Sequence, residues 1–409
     1  MSPGTCRAGR RLKRQFTAFM LCLFLTACSS IPRQAEPIGR AADAQIEGFS
    51  GIRYLILSNP EPLREMLRQA FLNESPESYN EQADGSRVYD YLSISGGGSD
   101  GAFGAGLLNG WTKIGGRPEF KVVTGVSTGA LIAPFAFLGP AYDDKLKQAY
   151  TTVDSSRIFI TRSLLAALWS ESLTDTAPLR EMVASFIDEK VLAAIAVENA
   201  KGRRLLVAST NLDAEEPVVW DLGAIASSNN PKKLDLFRTV LVASASIPAV
   251  FPPTMIEVVV DGKKYDEMHV DGGVFFQSFS IGSLIDLSST VRAAHQDYTG
   301  KVLQRLYVIR NGRVTPDPEQ VKRGLSSIAE RSILSLFKVS GINDLWRLYL
   351  STIHDEVEFR FISIPPDYKG ETEEQFNKAE MIRQYDYGEK MALNGIPWLS
   401  TPPFYYAQE

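Results

Sequence analysis

The chain has 409 residues, of which 44% are hydrophobic and 22% are charged, and its formal net charge is −5. This composition excludes a disordered or fibrous protein, and the length suits one large domain or two of ordinary size. Basic residues are not in excess, so the charge does not favour a protein that binds nucleic acid.

The first 27 residues have the parts of a secretory signal peptide. Five basic residues and no acidic ones lie between positions 7 and 14, and an apolar run of 12 residues spans positions 16–27. That run is too short to cross a bilayer as a finished helix. It ends in Leu25-Thr26-Ala27-Cys28, which resembles the bacterial lipobox. The resemblance implies that Cys28 is acylated and becomes the mature N-terminus. An ordinary signal peptide with a chance cysteine is the alternative.

Removal of this segment would change both the charge and the cysteine content. A mature chain that starts at Cys28 would carry a net charge of about −10, and Cys28 would be its only cysteine, so no internal disulfide could form. Ser29 fits retention at the outer membrane under the known lipoprotein sorting rule. We therefore expect a lipid-anchored protein of the bacterial cell envelope, at the outer membrane and facing the periplasm. Residues 28–50 are expected to form a lipidated tether and residues 51–409 a single domain.

A glycine cluster follows the first predicted strand of this domain. Residues 88–95 are rich in β-branched and aromatic side chains, which predicts a strand, and residues 102–111 are expected to be helical. Between them, Gly96, Gly98 and Gly101 match the G-x-G-x-x-G pattern of nucleotide-binding loops, but no strand with a terminal acid follows at the distance needed to hold a ribose. Three consecutive glycines would instead let backbone N–H groups approach an oxyanion closely.

A possible nucleophile lies about 30 residues further along. Gly125-Val126-Ser127-Thr128-Gly129 stands between an apolar run at 120–124 and a helix-like run at 130–138. A serine in a tight turn between a strand and a helix is the pattern of a nucleophile elbow. The pentapeptide alone is a weak signal. Its spacing from the glycine cluster predicts adjacent parallel strands whose loops meet at the same carboxyl edge of a sheet.

A serine nucleophile needs a base, and histidine is the usual one. The chain has three histidines, His269, His295 and His354. His269 lies inside a predicted strand, and the other two do not follow a strand at a glycine-marked turn. We expect all three to be surface or packing residues.

Asp271 is the better candidate for the base. Residues 255–260 and 264–270 predict a hairpin around Asp261-Gly262. Asp271 comes directly after that hairpin and is followed by Gly272 and Gly273. A carboxylate at this point could accept the serine proton and return it to the leaving alcohol.

The glycine cluster, the elbow and the Asp-Gly-Gly turn together resemble the patatin-like phospholipase family over residues 88–280, approximately. The resemblance implies an α/β fold, with a mainly parallel central sheet flanked by helices in three layers. It implies a catalytic dyad of Ser127 and Asp271 without a histidine, and an oxyanion hole from Gly97, Gly98 and Ser99. The remaining motif positions are Gly96, Gly101, Gly125, Gly129, Gly272 and Gly273. The sequence departs from the family at Asp100, where many members have Arg or Lys.

These features predict a lipid acyl hydrolase, an esterase similar to phospholipase A or lysophospholipase that acts on membrane lipids through an acyl-enzyme. Two alternatives stay open: an acyltransferase that uses the same dyad, and a non-catalytic lipid-binding envelope lipoprotein. No metal or organic cofactor is implied.

The resemblance fades in the C-terminal extension, residues 281–409. Residues 304–310 and 357–364 predict further strands, so we expect the sheet to continue within one domain. Residues 326–338, 342–352 and 373–393 predict helices. Residues 281–300 and 312–325 are expected to form loops over the site.

Overall fold

The computed structural model describes residues 32–75, 80–153, 160–161, 174–248, 250–372 and 374–404. The predicted signal peptide and Cys28 lie outside these residues, and both stay predictions. Within the described ranges, no helix is both long and apolar enough to cross a membrane.

The described residues form one large sheet, a two-stranded ribbon and helices on both faces of the sheet. The strands are β1 (Arg53–Leu55), β2 (Arg87–Ile94), β3 (Val122–Val126), β4 (Ile160–Thr161), β5 (Thr174–Asp175), β6 (Arg204–Asn211), β7 (Glu216–Asp221), β8 (Thr254–Val260), β9 (Lys263–Asp271), β10 (Val302–Arg310) and β11 (Glu358–Ser363). The helices are α1 (Glu61–Leu72), α2 (Gly101–Lys113), α3 (Thr128–Leu138), α4 (Asp143–Thr151), α5 (Ala177–Phe186), α6 (Glu189–Ala200), α7 (Leu222–Ser227), α8 (Lys233–Ser244), α9 (Leu287–Ala294), α10 (Leu325–His354) and α11 (Lys378–Leu393).

The large sheet is mostly parallel at its centre, as predicted. Its order is β1-β7-β6-β3-β2-β10-β11, and the neighbouring strands from β6 to β11 are parallel. On the other side, β7 and β1 continue the sheet in antiparallel pairs. The β8–β9 hairpin joins through β9, which pairs with β6.

Two apolar cores cover the two faces of the sheet and complete the three-layer arrangement. One core contains Leu107 of α2, Phe135 of α3 and Tyr385 of α11. The other contains Leu67 of α1 and Leu345 of α10. The central strands are therefore buried on both faces, which explains their nearly continuous apolar sequence.

Two strands approach each other end to end along the same edge of β6. Residues of β3 pair with β6 up to Val126 opposite Ala208. The next residue of β6, Ser209, pairs with Asp271, the last residue of β9, which runs in the opposite direction. Strands β3 and β9 therefore end next to each other beside β6. Ser127 directly follows the end of β3, and Asp271 is the end of β9.

The hairpin turn agrees with the prediction. Asp261 and Gly262 both have positive φ angles, +51° and +76°, as a tight two-residue hairpin turn requires. Asp and Gly are among the residues that tolerate this conformation best. Asp261 is therefore a turn residue of the hairpin, whereas Asp271 is the last residue of β9.

The C-terminal extension differs from the prediction in two places. Helix α10 is one helix of 30 residues, where the sequence predicted two. Gly341 lies inside it, and a single glycine lowers helix stability without ending the helix. Residues 281–300 are not simply a loop, because they contain α9, and His295 after that helix hydrogen-bonds to Tyr89 near the amino end of β2. The loop predicted over the site at 281–300 is therefore wrong for the helical residues 287–294.

Part of the predicted tether packs on the domain. Arg33 forms an ion pair with Asp213, and Gln45 forms a β-bridge with Val259 of the hairpin. Ala44 is buried in the core. The described portion of the tether, from residue 32 onward, is thus held against the β8–β9 side of the sheet.

Candidate active site

Ser127 occupies a strained turn between β3 and α3. Its φ and ψ are +55° and −125°, a backbone conformation that residues with side chains rarely adopt. The Ser127 N–H donates to Oγ of Ser244 at 3.1 Å, and that hydroxyl donates to the carbonyl of Ala208 at 2.6 Å. Ser244 at the end of α8 therefore ties the turn to the central strand β6.

The two glycines of this pentapeptide are required by close packing. A Cβ atom at Gly125 would lie 2.4 Å from the carbonyl oxygen of Gly129, and one at Gly129 would lie 2.2 Å from that of Ile94. Both distances are far below van der Waals contact. Glycine at both positions lets α3 start directly against the ends of β2 and β3, and this is the geometry of a nucleophile elbow.

Asp271 lies at the end of β9 and is almost completely buried, with 1% of its surface exposed. Its Oδ1 accepts a hydrogen bond from the Gly273 N–H at 2.7 Å. Within the described residues, Oδ2 accepts no hydrogen bond of regular geometry. Burial raises the pKa of Asp271 to about 7, against the opposing effect of hydrogen bonding from Ser127 and Gly273. The carboxyl is thus close to Ser127 and has one oxygen available.

Two glycines of the glycine loop, residues 96–101, have positive φ angles, which glycine adopts most readily. Gly97 has a φ of +156° and Gly98 one of +57°. A Cβ atom at Gly97 would overlap the carbonyl oxygen of Asn311, at 1.8 Å. Asn311 also holds the start of the loop, because its N–H and Nδ2 donate to Ser95 at 2.8 and 2.9 Å.

Three N–H groups in this loop are available to a ligand. Those of Gly97, Gly98 and Ser99 donate no hydrogen bond within the part of the chain that the structure describes. The loop lies beside Ser127, since a Cβ atom at Gly96 would be 3.1 Å from that of Ser127. The arrangement can therefore present backbone donors to an oxygen near the serine hydroxyl.

Comparison with known proteins agrees with this geometry. Residues 92–283 match the family model described as patatin-like phospholipase. The chain carries a patatin-like phospholipase domain. That domain includes the glycine loop, Ser127 and Asp271. No curated protein gives a significant match to the chain.

Two solved structures are similar to the chain at low sequence identity. VipD from Legionella pneumophila is 12% identical, with a TM-score of 0.36, over 77% of this chain and 69% of VipD. Human GIVD cytosolic phospholipase A2 is 11% identical, with a TM-score of 0.31, over 77% of this chain and 52% of the human chain. The chain therefore spans about half the length of the human enzyme.

An apolar pocket opens beside Ser127 in the patatin-like domain. Most of its walls come from α3, α4, α5 and the segment after α8, and residues of the C-terminal extension close it. Its lining residues are Gly98, Ser127, Thr128, Leu131, Ala149, Tyr150, Val153, Leu179, Met182, Ala245, Ile247, Phe251, Phe376 and Met381. A pocket of this composition suits an aliphatic chain.

Tyr150 links this pocket to the start of α3. Its hydroxyl lies 2.6 Å from Oγ1 of Thr128 and donates to the Thr128 carbonyl at 3.0 Å. A Cβ atom at Gly101 would be 2.3 Å from the same Oγ1. The last glycine of the loop therefore allows α2 to pack against the residue that follows Ser127.

The sequence did not identify several polar residues that support the domain's site. Gln277 accepts from the Gly96 N–H at 3.1 Å and its Nε2 donates to the Gly273 carbonyl at 3.1 Å, so it joins the glycine loop to the turn after Asp271. Gln375 accepts from the Ser99 hydroxyl at 3.1 Å. No motif marks these glutamines, and each contacts a residue of the glycine loop that is far away in the sequence.

Asp100, the departure from the family pattern, has a defined partner. Its Oδ1 accepts from Nε2 of Gln384 on α11 at 2.7 Å. Burial raises the pKa of Asp100 to about 6, although the charge of Arg313 opposes this. The carboxyl therefore attaches the glycine loop to the C-terminal helix.

The three histidines belong to other networks. His269 is buried and hydrogen-bonds through Nδ1 to Ser209 and through Nε2 to Glu267, at 2.9 and 3.0 Å. His354 is exposed and pairs with Asp355. Within the described residues, no group of three or more His, Cys, Asp or Glu side chains could hold a metal ion.

Proposed function

We propose that this chain hydrolyses carboxylic esters of lipids, with Ser127 as nucleophile and Asp271 as general base. The family supports a lipid ester hydrolase as the general class. The observation that carries the proposal is the pairing of a buried Ser127 in an elbow conformation with a buried Asp271 whose Oδ2 is available.

In the first half of the reaction, Oγ of Ser127 attacks the ester carbonyl carbon and its proton passes to Oδ2 of Asp271. The carbonyl electron pair moves onto the oxygen, and the N–H groups of Gly97, Gly98 and Ser99 stabilise that oxyanion. When the intermediate collapses, the bond to the alcohol breaks, and Asp271 gives the proton to the leaving oxygen. An acyl ester of Ser127 is left.

In the second half, water replaces the alcohol. Asp271 accepts a proton from the attacking water, and the oxyanion forms again beside the same N–H groups. Collapse releases the fatty acid, and the proton on Asp271 returns to Oγ of Ser127. Asp271 thus acts as base and then acid in each half-reaction, as general acid–base catalysis requires.

The raised pKa of Asp271 makes a carboxylate suitable for this work. A normal aspartate would be a weak base near neutral pH, whereas burial brings the pKa of Asp271 to about 7. A catalytic group is most effective when its pKa is close to the working pH. The same apolar surroundings that accept an acyl chain therefore also tune the base.

We also propose that the protein works at a membrane. The sequence pattern around Cys28 supports a lipid anchor in the bacterial cell envelope, at the outer membrane and on the periplasmic side. An anchored enzyme would meet its lipid substrate in the bilayer that holds it. Export and acylation can be followed by metabolic labelling with a palmitate analogue, with Cys28→Ser as the unlabelled variant.

The hydrolase proposal can be tested with phospholipid vesicles or mixed micelles and mass-spectrometric detection of products. The wild-type protein should release free fatty acid, and Ser127→Ala should release none. Ser289→Ala, an exposed serine of α9, is the matched control and should behave as the wild type. Acyl groups that appear on an added alcohol instead of as free fatty acid would reassign the reaction to acyl transfer. No product of either kind would contradict the proposal.

A further inference from the structure

Arg310, the last residue of β10, is a buried cation that no carboxylate of the described residues contacts directly. Only 5% of its surface is exposed, and its Nε has no hydrogen-bond acceptor. Within the described part of the chain, it forms no ion pair at all. Burying a charged donor without an acceptor costs several kcal/mol, so such groups usually meet a ligand, water or an opposite charge.

Helix α10 leaves space for this guanidinium. A Cβ atom at Gly341 would lie 1.9 Å from Nη1 of Arg310 and 2.8 Å from Nη2. The planar group therefore lies directly on the helix backbone, where any larger residue would displace it. Glycine at position 341 and arginine at position 310 form one structural unit.

A second cation lies one helical turn before Gly341. Lys338 is half-buried and makes no ion pair within the described residues. It lies three residues before Gly341 and so on the same side of α10 as the Arg310 guanidinium. Burial lowers the pKa of Lys338, the charge of Asp317 opposes this, and the charge of Arg310 lowers the pKa further. Their mutual repulsion would be relieved by an anion bound between them.

Two acidic residues, Asp344 and Asp100, lie near enough for their charges to oppose the lowering of the Arg310 pKa by burial, but neither forms an ion pair with it, and Asp100 accepts a hydrogen bond from Gln384. Asp344 accepts hydrogen bonds from the N–H groups of Gln277 and Ser278, at 2.6 and 3.2 Å, and pairs with Arg347 at 2.9 Å. Asp317 pairs with Arg313 at 2.7 Å.

Other basic residues in this region form ion pairs with acidic residues. Arg331 pairs with Glu319 at 2.9 Å. Within the described residues, Arg310 and Lys338 are therefore cations of this cluster that form no direct ion pair.

The pair lies beside the glycine loop. Ile309 pairs with Ile94 of β2, and Asn311 contacts Gly97, so Arg310 stands at the edge where the loop begins. Strand β2 separates β10 from β3, which Ser127 follows. Neighbouring strands are about 4.8 Å apart, so the two strand ends are separated by about 10 Å, a span that one phospholipid can bridge.

The two cations and the apolar pocket lie on opposite faces of the sheet. Leu131, Tyr150 and Met381 of the pocket belong to the core covered by α2, α3 and α11. Arg310 contacts α10, which covers the other face. A lipid bound at Ser127 could therefore place its acyl chain on one side and an anionic group on the other.

We propose that Arg310 and Lys338 bind the phosphate of a phospholipid head group while its ester is cleaved at Ser127. This inference rests on the proposed function and names the substrate class of that site. Both residues lie outside residues 92–283, so the patatin-like domain does not include them. The chemistry needed is that of an anionic phosphate, for which an arginine and a nearby lysine are suitable ligands.

The test compares two substrates that differ only in the phosphate head group, a phosphatidylcholine and the diacylglycerol with the same acyl chains, in mixed micelles. Arg310→Met should lower kcat/KM for the phospholipid by roughly ten- to a hundredfold, and Lys338→Met by a smaller factor. Hydrolysis of the diacylglycerol should change less than about twofold. Lys390→Met, which removes an exposed cation of α11, is the matched control and should leave both rates unchanged.

Equal losses on both substrates, or no loss on either, would overturn the assignment. Inorganic phosphate identifies the source of the anion: it should inhibit phospholipid cleavage competitively in the wild type and not in Arg310→Met. If phosphate binds at Arg310 but phospholipid rates do not depend on that residue, the site takes free phosphate and the head-group assignment is wrong.

A binding measurement distinguishes failure of this inference from failure of the proposed function. Calorimetry with a monomeric short-chain phospholipid should show binding to Ser127→Ala and at least tenfold weaker binding to the double variant Ser127→Ala/Arg310→Met. Equal affinities would contradict the inference even if the protein hydrolyses lipids. Should Arg310→Met fail to fold, Lys338→Met in the Ser127→Ala background gives the same comparison, because Lys338 is only half-buried.

Discussion

Replacing Asp271 with asparagine is expected to abolish turnover and, above neutral pH, to raise the free energy of unfolding. The native carboxyl is buried and its pKa is about 7, against 3.8 for the ordinary side chain. Between these two values the folded protein holds a proton that the unfolded chain has released. Stability therefore falls as the pH rises from about 4 to about 7, and it is constant above that range.

The magnitude follows from the two pKa values. Each unit of difference corresponds to about 1.4 kcal/mol, so the cost of an ionised Asp271 in the native state is at most about 4 kcal/mol above pH 7. Asparagine has nearly the same shape, and its oxygen can still accept the hydrogen bond from Gly273. Since asparagine does not ionise, the variant should avoid this cost, and its advantage should disappear near pH 4.

The assay is urea unfolding of both proteins at pH 5 and pH 8. Asp271→Asn should be more stable than the wild type at pH 8, by roughly 1–4 kcal/mol, and the difference should shrink at pH 5. In parallel, ester hydrolysis should fall by at least about a hundredfold, because the general base is lost. Asp261→Asn is the matched control, since Asp261 lies in an exposed turn whose conformation asparagine tolerates.

Two results would refute this reasoning. A variant that is less stable than the wild type by the same amount at both pH values would show that Asp271 stabilises the fold and does not strain it. Near-normal hydrolysis by Asp271→Asn would show that another group accepts the serine proton. The first result would contradict the raised pKa of Asp271, and the second would remove Asp271 from the proposed dyad.

Further predictions concern pH and the support of the elbow. The kcat/KM for a lipid ester should rise with pH around a midpoint near 7, because Asp271 must be ionised to act as base, and a flat profile from pH 5 to 8 would contradict this. Ser244→Ala should lower both stability, by about 1–3 kcal/mol, and kcat, because the Ser127 N–H loses its buried acceptor. Ser246→Ala, a buried serine whose hydroxyl bonds to Val242, is the control, and an equal loss of kcat there would refute a specific role for Ser244.

Much of the central sheet could be predicted because its signals are local. The strands around residues 88–95 and 120–124, the Asp261-Gly262 turn and the elbow each depend on a few consecutive residues. Apolar runs that end in glycine turns identify buried parallel strands whose loops lie at one edge. The positions of Ser127 and Asp271 at that edge follow from the same signals.

The supporting residues of the site could not be predicted, because their contacts join distant parts of the chain. Gln277 and Asn311 hold the glycine loop from the segments after β9 and β10, and neither lies in a recognisable motif. The C-terminal extension was also harder to interpret. The sequence predicted separate helices at 326–338 and 342–352, whereas the contact of Gly341 with Arg310 explains why a glycine stands inside one continuous helix.

The contacts of the tether after residue 32 could not be predicted for the same reason. Its composition, poor in large apolar residues, is typical of a flexible linker. A few long-range contacts, such as the bridge between Gln45 and Val259, are enough to hold it on the domain. Composition describes how much apolar surface a segment can bury, and it does not describe which surface is available nearby.

The most direct test of the central claim is covalent labelling of the nucleophile. A fluorophosphonate probe should react with the wild-type protein, and peptide mapping by mass spectrometry should find the adduct on Ser127. Ser127→Ala should not be labelled, while Ser289→Ala should be labelled as fully as the wild type. No adduct on Ser127 in a protein that is folded and hydrolyses lipid esters would contradict the account.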